Sequence, residues 1–260
     1  MKKSPIFTVK NLHYSYNGKY KALDDVTMSI DTAEGLVILG ANGSGKSTLL
    51  KILDGLYFPD RGEVRAFDKA LTEEALQDDS FNFDFRSRVG LVFQDSDVQL
   101  FMPSVWDEVA FGPLQMGVSK QEVFLRVDAA LETLQISNLR DRAPHQLSGG
   151  EKKRVALASV LSLSPEVWLL DEPTSGLDPR SHGWLVEFLQ GQVREGKTVV
   201  TATHNLDVAE QVATRIIVFN EEHHVAAVGT PTQVLNDHEL LHSCNLSHYH
   251  MPSAKHPEDI

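Results

Sequence analysis

The sequence predicts an α/β fold, a buried parallel sheet covered by helices and interrupted by a helical insertion, and three observations carry that prediction. Five short runs of near-continuous apolar residues, at 36–39, 89–93, 167–170, 198–202 and 216–219, read as strands. Runs without alternation suit strands covered on both faces. Helical patterns lie between them, the order expected of parallel strands with crossover helices. A mostly helical stretch from about residue 96 to 161 separates the second run from the third.

Each element has its own signal. The run at 36–39 leads through a glycine-rich loop into Leu49, Leu50, Ile52 and Leu53, a helical spacing. Within the insertion, Ser119 with Glu122 three residues on reads as a capping box, and Val123, Phe124, Val127, Ala130, Leu131 and Leu134 share one helix face. After the third strand run, Trp184, Leu185, Phe188 and Leu189 form a stripe expected to stop at Gly191. Beyond Val234 the chain turns polar and His-rich, which suggests a surface helix and a loose tail.

Composition narrows the function. The 260 residues carry 24 Lys+Arg against 36 Asp+Glu, a net charge of −12. With no Lys/Arg block, such a surface does not suit tracking a nucleic-acid backbone, which needs clustered cations, so no nucleic-acid partner is expected. One cysteine, Cys244, leaves no internal disulfide and suits a reducing compartment. Ile6, Phe7 and Val9 are broken up by polar residues, so no signal-peptide core is read, and no apolar run approaches a spanning helix. Any membrane role is therefore expected to come through a partner.

The loop after the first strand run is Gly40-Ala41-Asn42-Gly43-Ser44-Gly45-Lys46-Ser47-Thr48. It has the spacing Gly, four residues, Gly-Lys-Ser, between a strand and a helix, which is the context that phosphate-binding pattern needs. Glycines let successive backbone N–H groups point at phosphate oxygens, and the helix adds its positive end. Lys46 would reach the β- and γ-phosphates, and the Ser47 hydroxyl would ligate Mg²⁺. The competing reading is a plain strand-to-helix turn with a solvated lysine. A second signal weighs against it: the strand at 167–170 ends in Asp171-Glu172, at the carboxyl end where open α/β sheets bind ligands. Asp171 would hold Mg²⁺ through water and Glu172 would polarise the water that attacks the γ-phosphate.

The segment Leu147-Ser148-Gly149-Gly150-Glu151-Lys152-Lys153-Arg154 opens another helix with small residues, a second set of backbone donors suited to an anion. The competing reading is a plain helix N-terminus with a solvated basic face at 152–154, which the other motifs in order weigh against. Together these motifs resemble the ATP-binding cassette (ABC) ATPases, over most of the chain from Val9 to about Val234. The resemblance implies a P-loop NTPase (RecA-like) core with an antiparallel β subdomain and a helical insertion. It also implies that ATP closes two subunits head to tail as a homodimer, with Ser148, Gly149 and Gly150 serving the partner's nucleotide. On the same basis Tyr16 stacks on adenine, with Tyr14 as the fallback. Gln94 ligates Mg²⁺, Asp178 lies in the loop that crosses the dimer, and His204 senses the γ-phosphate.

Within that superfamily, residues 93–101, 105–113 and 149–158 resemble the ATPases of energy-coupling-factor importers, nearest the cobalt and nickel type. Ser96 stands where a proline is usual and Val98 where an acid is usual, both in the segment expected to contact the membrane partner. Leu100, Phe101, Met102 and Trp106 form an apolar cluster there, read either as insertion core or as a docking groove, with the resemblance favouring a mixture.

Seven of the 11 histidines fall at 223 and beyond. His238 and His242 are four apart with Cys244 close by, a spacing that can bind a divalent metal; a polar tail that happens to carry imidazoles is the stronger alternative. The expected organisation is one nucleotide-binding domain over 1–235, with its core at 1–94 and 162–235 and its helical part at 95–161, followed by a His-rich segment at 236–260. The expected protein is a Mg²⁺-dependent ATPase at the cytoplasmic face of the cell membrane, held there by integral-membrane partners near Leu100, Phe101 and Met102 and driving import of cobalt ions. Nickel or vitamin import, or a soluble cassette acting on nucleic acid or ribosomes, are the rivals.

Overall fold

Asn17 and Gly18, both at positive φ, turn the first two strands into an antiparallel hairpin. These strands are β1 (Pro5–Tyr16) and β2 (Tyr20–Asp31). The computed structural model describes residues 5–247. Next come β3 (Gly35–Leu39), α1 (Lys46–Leu53), β4 (Arg61–Ala66) and β5 (Lys69–Ala70). Strands β2-β1-β4-β5 form an antiparallel sheet. Then α2 (Glu73–Leu76) and α3 (Asp79–Arg88) lead to β6 (Val89–Val92). The insertion follows as α4 (Ser96–Gln99), α5 (Val105–Gln115), α6 (Lys120–Thr133) and α7 (Gly149–Leu161). The rest is β7 (Val167–Asp171), α8 (Pro179–Arg194), β8 (Thr198–Thr203), α9 (Leu206–Val212), β9 (Arg215–Phe219), β10 (Val225–Gly229), α10 (Pro231–Leu235) and α11 (His238–Ser243).

All five apolar runs lie side by side in a second sheet, ordered β10-β9-β3-β8-β7-β6, parallel except for the edge strand β10. Every residue of β3, β7 and β8 is buried, which is why these runs show no alternation. Leu49, Leu50, Ile52 and Leu53 of α1 pack between this sheet and the antiparallel one, among Leu12, Ile30, Leu36 and Leu169. Each such leucine or isoleucine contributes roughly 1.5–3 kcal/mol by leaving water. The opposite face, with Trp168, Leu170 and Val199, is covered by α7, α8 and α9. In register, Leu39 pairs with Thr203 and Asp171 with Ala202, so the carboxyl ends of β3, β8 and β7 meet at one edge.

Several expectations need correction. Ser119 caps α6, yet Glu122 turns to Arg126 at 2.8 Å instead of closing the capping box. Phe124 is exposed and packs on Trp106. Helix α8 runs through Gly191 to Arg194 and ends before Gly196, whose positive φ supplies the stop. The segment after Val234 is not loose as far as residue 247: Leu241 and Cys244 are buried, and Leu246 packs beside Cys244. The calls on His248, His250 and His256 lie outside the described residues.

Candidate functional site

The loop between β3 and α1 has the backbone its glycines require. Gly43 and Gly45 sit at φ 85° and 105°, where side chains are disfavoured. A Cβ at Gly45 would also strike the Ala22 carbonyl, and one at Gly40 the Ser44 hydroxyl. No side chain caps the first turn of α1, so its N–H groups are open to a ligand. The Ser44 hydroxyl is buried without a partner. Lys46 arches back over the loop and donates to the carbonyls of Gly40 at 2.8 Å and Ala41 at 3.0 Å. Burial lowers its pKa, and Glu172 and Asp171 oppose that shift. The cleft in front of this loop has a volume of ≈ 490 Å³ and is lined by Tyr16, Lys21, Asn42, Lys46, Gln94 and Glu172, among others.

Two carboxylates close its far side. Asp171, the last residue of β7, accepts from the Ser47 hydroxyl at 2.9 Å, and burial raises its pKa. Glu172 sits at φ 41°, a conformation costly for a residue with a side chain. Its Oε2 accepts from the Thr203 hydroxyl at 2.9 Å; its Oε1 accepts from the His204 backbone N–H at 3.1 Å and faces His204 Nδ1 at 2.8 Å. Lys46 Nζ lies 3.9 Å from Oε1. The carboxylate is therefore held from three sides within a buried pocket, while the His204 ring stays half exposed. Ser47, Asp171 and Gln94 offer hard oxygen donors around the cleft, the ligand set that Mg²⁺ takes.

Tyr16 forms the outer wall. Its hydroxyl is 2.9 Å from Thr48 Oγ1, and its ring meets Tyr14 and Tyr57 edge-on. Tyr14 instead stacks on Tyr57 and does not line the cleft, so the tyrosine presented to a ligand is Tyr16.

Ser148, Gly149, Gly150 and Asp178 are not brought to this cleft. Ser148 caps α7 in a capping box with Glu151, and Asp178 caps α8 by accepting from Arg180 and Ser181. Gly149 lines a separate hollow of ≈ 190 Å³ with Gln94, Asp97, Lys152, Ser175 and Gly176. The basic run 152–154, solvated in the competing reading, is divided among three tasks. Lys152 pairs with Asp97 at 2.6 Å, Arg154 lies over the Trp184 ring at 4.0 Å, and Lys153 is buried. Of the apolar cluster, Phe101 is exposed and lines a groove with Leu91, Phe111, Met116 and Leu163. Leu100 packs into the insertion core, and neither it nor Met102 lines that groove. Sequence reasoning missed Thr203 and Lys21. The signal for Thr203 was its place at the end of a strand beside Glu172, and nothing local marked Lys21. Among the described residues no group of three or more His, Cys, Asp or Glu side chains could hold a metal ion, and Cys244 is buried away from solvent.

The family model for the ABC transporter matches residues 23–175, more than half of the chain. The chain belongs to the ABC transporter family. This cassette is 44% identical to the nickel import ATP-binding protein NikO of Rhodobacter capsulatus, over 94% of the chain and 96% of that protein. It is also 44% identical to the cobalt import ATP-binding protein CbiO of the same organism, over 92% and 83%. Among solved structures, cbiO1 from Clostridium perfringens, part of the ABC transporter complex cbiONQ, superposes with a TM-score of 0.79 at 36% identity, covering 94% of this chain and 96% of that one. A dimeric ATP-binding cassette in a post-hydrolysis state bound to ADP and Pi superposes at 0.77 with 29% identity, covering 86% and 98%. The cassette is thus a P-loop ATPase with the α/β architecture of its family. Among the described residues, no helix is long and apolar enough to cross a membrane.

Proposed function

We propose that this cassette hydrolyses ATP to drive an energy-coupling-factor importer for cobalt ions, with Glu172 as the group that activates water. The observation that carries the hydrolysis reading is the fixed Glu172 carboxylate, 3.9 Å from Lys46 Nζ at the mouth of the phosphate loop. The loop amides and Lys46 hold the β- and γ-phosphates, and Tyr16 offers its ring to adenine. Ser47, Gln94 and, through water, Asp171 would hold Mg²⁺, which would supply charge neutralisation at the departing phosphate. Glu172 takes a proton from the attacking water, and His204, whose Nδ1 faces that carboxylate, is the residue proposed to sense the γ-phosphate. Changing Glu172→Gln should cut phosphate release by about 100-fold or more while nucleotide still binds. A variant that hydrolyses at the parent rate overturns the assignment.

Cobalt as the cargo is supported by the cobalt import relative, and nickel is equally supported by its own relative. Membrane partners purified with this cassette and assayed for both ions would separate the two. Docking of those partners is proposed at the groove bordered by Phe101, with Leu100 and Met102 shaping the turn that presents it. Ser148, Gly149, Gly150 and Asp178 lie away from the cassette's own cleft, and this supports a homodimer in which they serve the partner's ATP. Such a subunit would sit at the cytoplasmic face of the membrane through its partners.

A further inference from the structure

Lys153 is the buried cation that the chemistry above leaves unused. Only 4% of it is exposed, and its Nζ donates to two backbone carbonyls, Phe93 at 3.1 Å and Gln94 at 2.8 Å. Burial lowers its pKa, and Asp171 and Asp95 act from farther off to raise it. A buried ammonium without a contacting carboxylate is costly, and an apolar residue of similar volume would serve packing alone as well or better. Its position says what it holds. Lys153 lies on α7, one turn from Gly149, and the carbonyls it grips belong to the segment that carries Gln94 into the cleft. Two further ties join that segment to α7. The Gln99 amide donates to Ala156 O at 3.1 Å while its oxygen accepts from Phe93 N–H at 3.1 Å, and Lys152 pairs with Asp97.

We infer that Lys153 is a positioning residue that couples α7 to Gln94, so that the side chain offered to Mg²⁺ is set by the helix whose first turn is proposed to serve the partner's nucleotide. The inference rests on the proposed role of Gln94 at the metal. With the carbonyls of Phe93 and Gln94 clamped, the backbone at 93–94 follows α7 instead of the end of β6. Engagement of Gly149 by an anion then reaches Gln94 through one helical turn and two charge-assisted hydrogen bonds.

The test measures nucleotide affinity with and without Mg²⁺ in the full chain carrying Glu172→Gln, using a fluorescent ATP analogue. The comparison adds Lys153→Met, which keeps volume and removes the donors, and Lys153→Gln, whose amide can donate to the same two carbonyls. Lys153→Met should bind the Mg²⁺-free analogue within about twofold of the parent and lose about tenfold of the gain that Mg²⁺ gives; Lys153→Gln should recover most of it. Equal Mg²⁺ gain in the parent and Lys153→Met overturns the inference. So does a Lys153→Met variant that binds poorly without Mg²⁺, which would mark a general structural role. If instead Gln94→Ala leaves the parent's Mg²⁺ gain intact, the failure belongs to the proposed role of Gln94.

Discussion

At the scale of single residues, the site depends on side chains held where their own chemistry would not put them. Glu172 is kept at φ 41° and gripped by Thr203 and His204, so its carboxylate is set before any ligand arrives. Preorganisation of this kind leaves little rearrangement for the moment of reaction. Tyr16 is braced edge-on by Tyr14 and Tyr57, leaving it as the tyrosine that lines the cleft. Changing Tyr16→Ala should weaken ATP binding by about tenfold, as expected for loss of one base-stacking ring, while inorganic triphosphate binds as before; calorimetry with both ligands checks this. Asp54, at the end of α1, shows a different tension. Burial pushes its pKa up to about 7 although Arg86 donates to it at 3.1 Å. A carboxyl whose folded pKa exceeds its unfolded value of about 3.9 adds stability at low pH and loses it as pH rises through 7. The parent should therefore gain stability relative to Asp54→Asn as pH falls from 8 to 5, by at most roughly 1.4 kcal/mol per unit of separation. Urea unfolding across that range reads the difference, and a constant offset would contradict it.

At the scale of elements, the sequence was most readable where burial is uniform. The five apolar runs became β3, β6, β7, β8 and β9 within a residue at either end, because strands covered on both faces leave a pattern that tertiary context cannot disguise. The phosphate loop was equally plain, since its glycines are required both by the positive φ of Gly43 and Gly45 and by the close approach of Ala22 and Ser44 to Gly45 and Gly40. Basic and apolar side chains on the insertion were harder to place. Lys152, Lys153 and Arg154 look alike in sequence, and only the fold assigns them an acidic partner, two carbonyls and an indole ring. Leu100 and Phe101 are adjacent, yet Glu108 accepts from the N–H groups of Phe101 and Met102 and turns the chain so that Leu100 faces the core and Phe101 the groove. Changing Phe101→Ser should shift folding stability by no more than about 0.5 kcal/mol, as for most exposed positions, and abolish co-purification of the membrane partners. Partner recovery at the parent level would remove Phe101 from the docking surface.

At the scale of the whole molecule, a net charge of −12 surrounds a site for a polyanion. The attraction is therefore local, from the amides of the loop, Lys46 and, in the proposed mechanism, Mg²⁺, while carboxylates beyond about 8 Å are screened at physiological salt. The sheet order is what assembles that site: β3, β8 and β7 are neighbours, and their aligned ends bring the phosphate loop, His204 and Asp171-Glu172 to one edge. Sequence spacing could not reveal this, because residues 46, 172 and 204 meet only through the crossovers. The same architecture leaves Ser148, Gly149 and Asp178 away from the chain's own cleft, as surfaces that a second copy can use. The most direct test joins both ideas: light scattering on the Glu172→Gln variant with Mg²⁺ and ATP, with the bound nucleotide then identified. The account predicts twice the monomer mass with intact ATP retained. A monomer, or a dimer holding ADP, would contradict it.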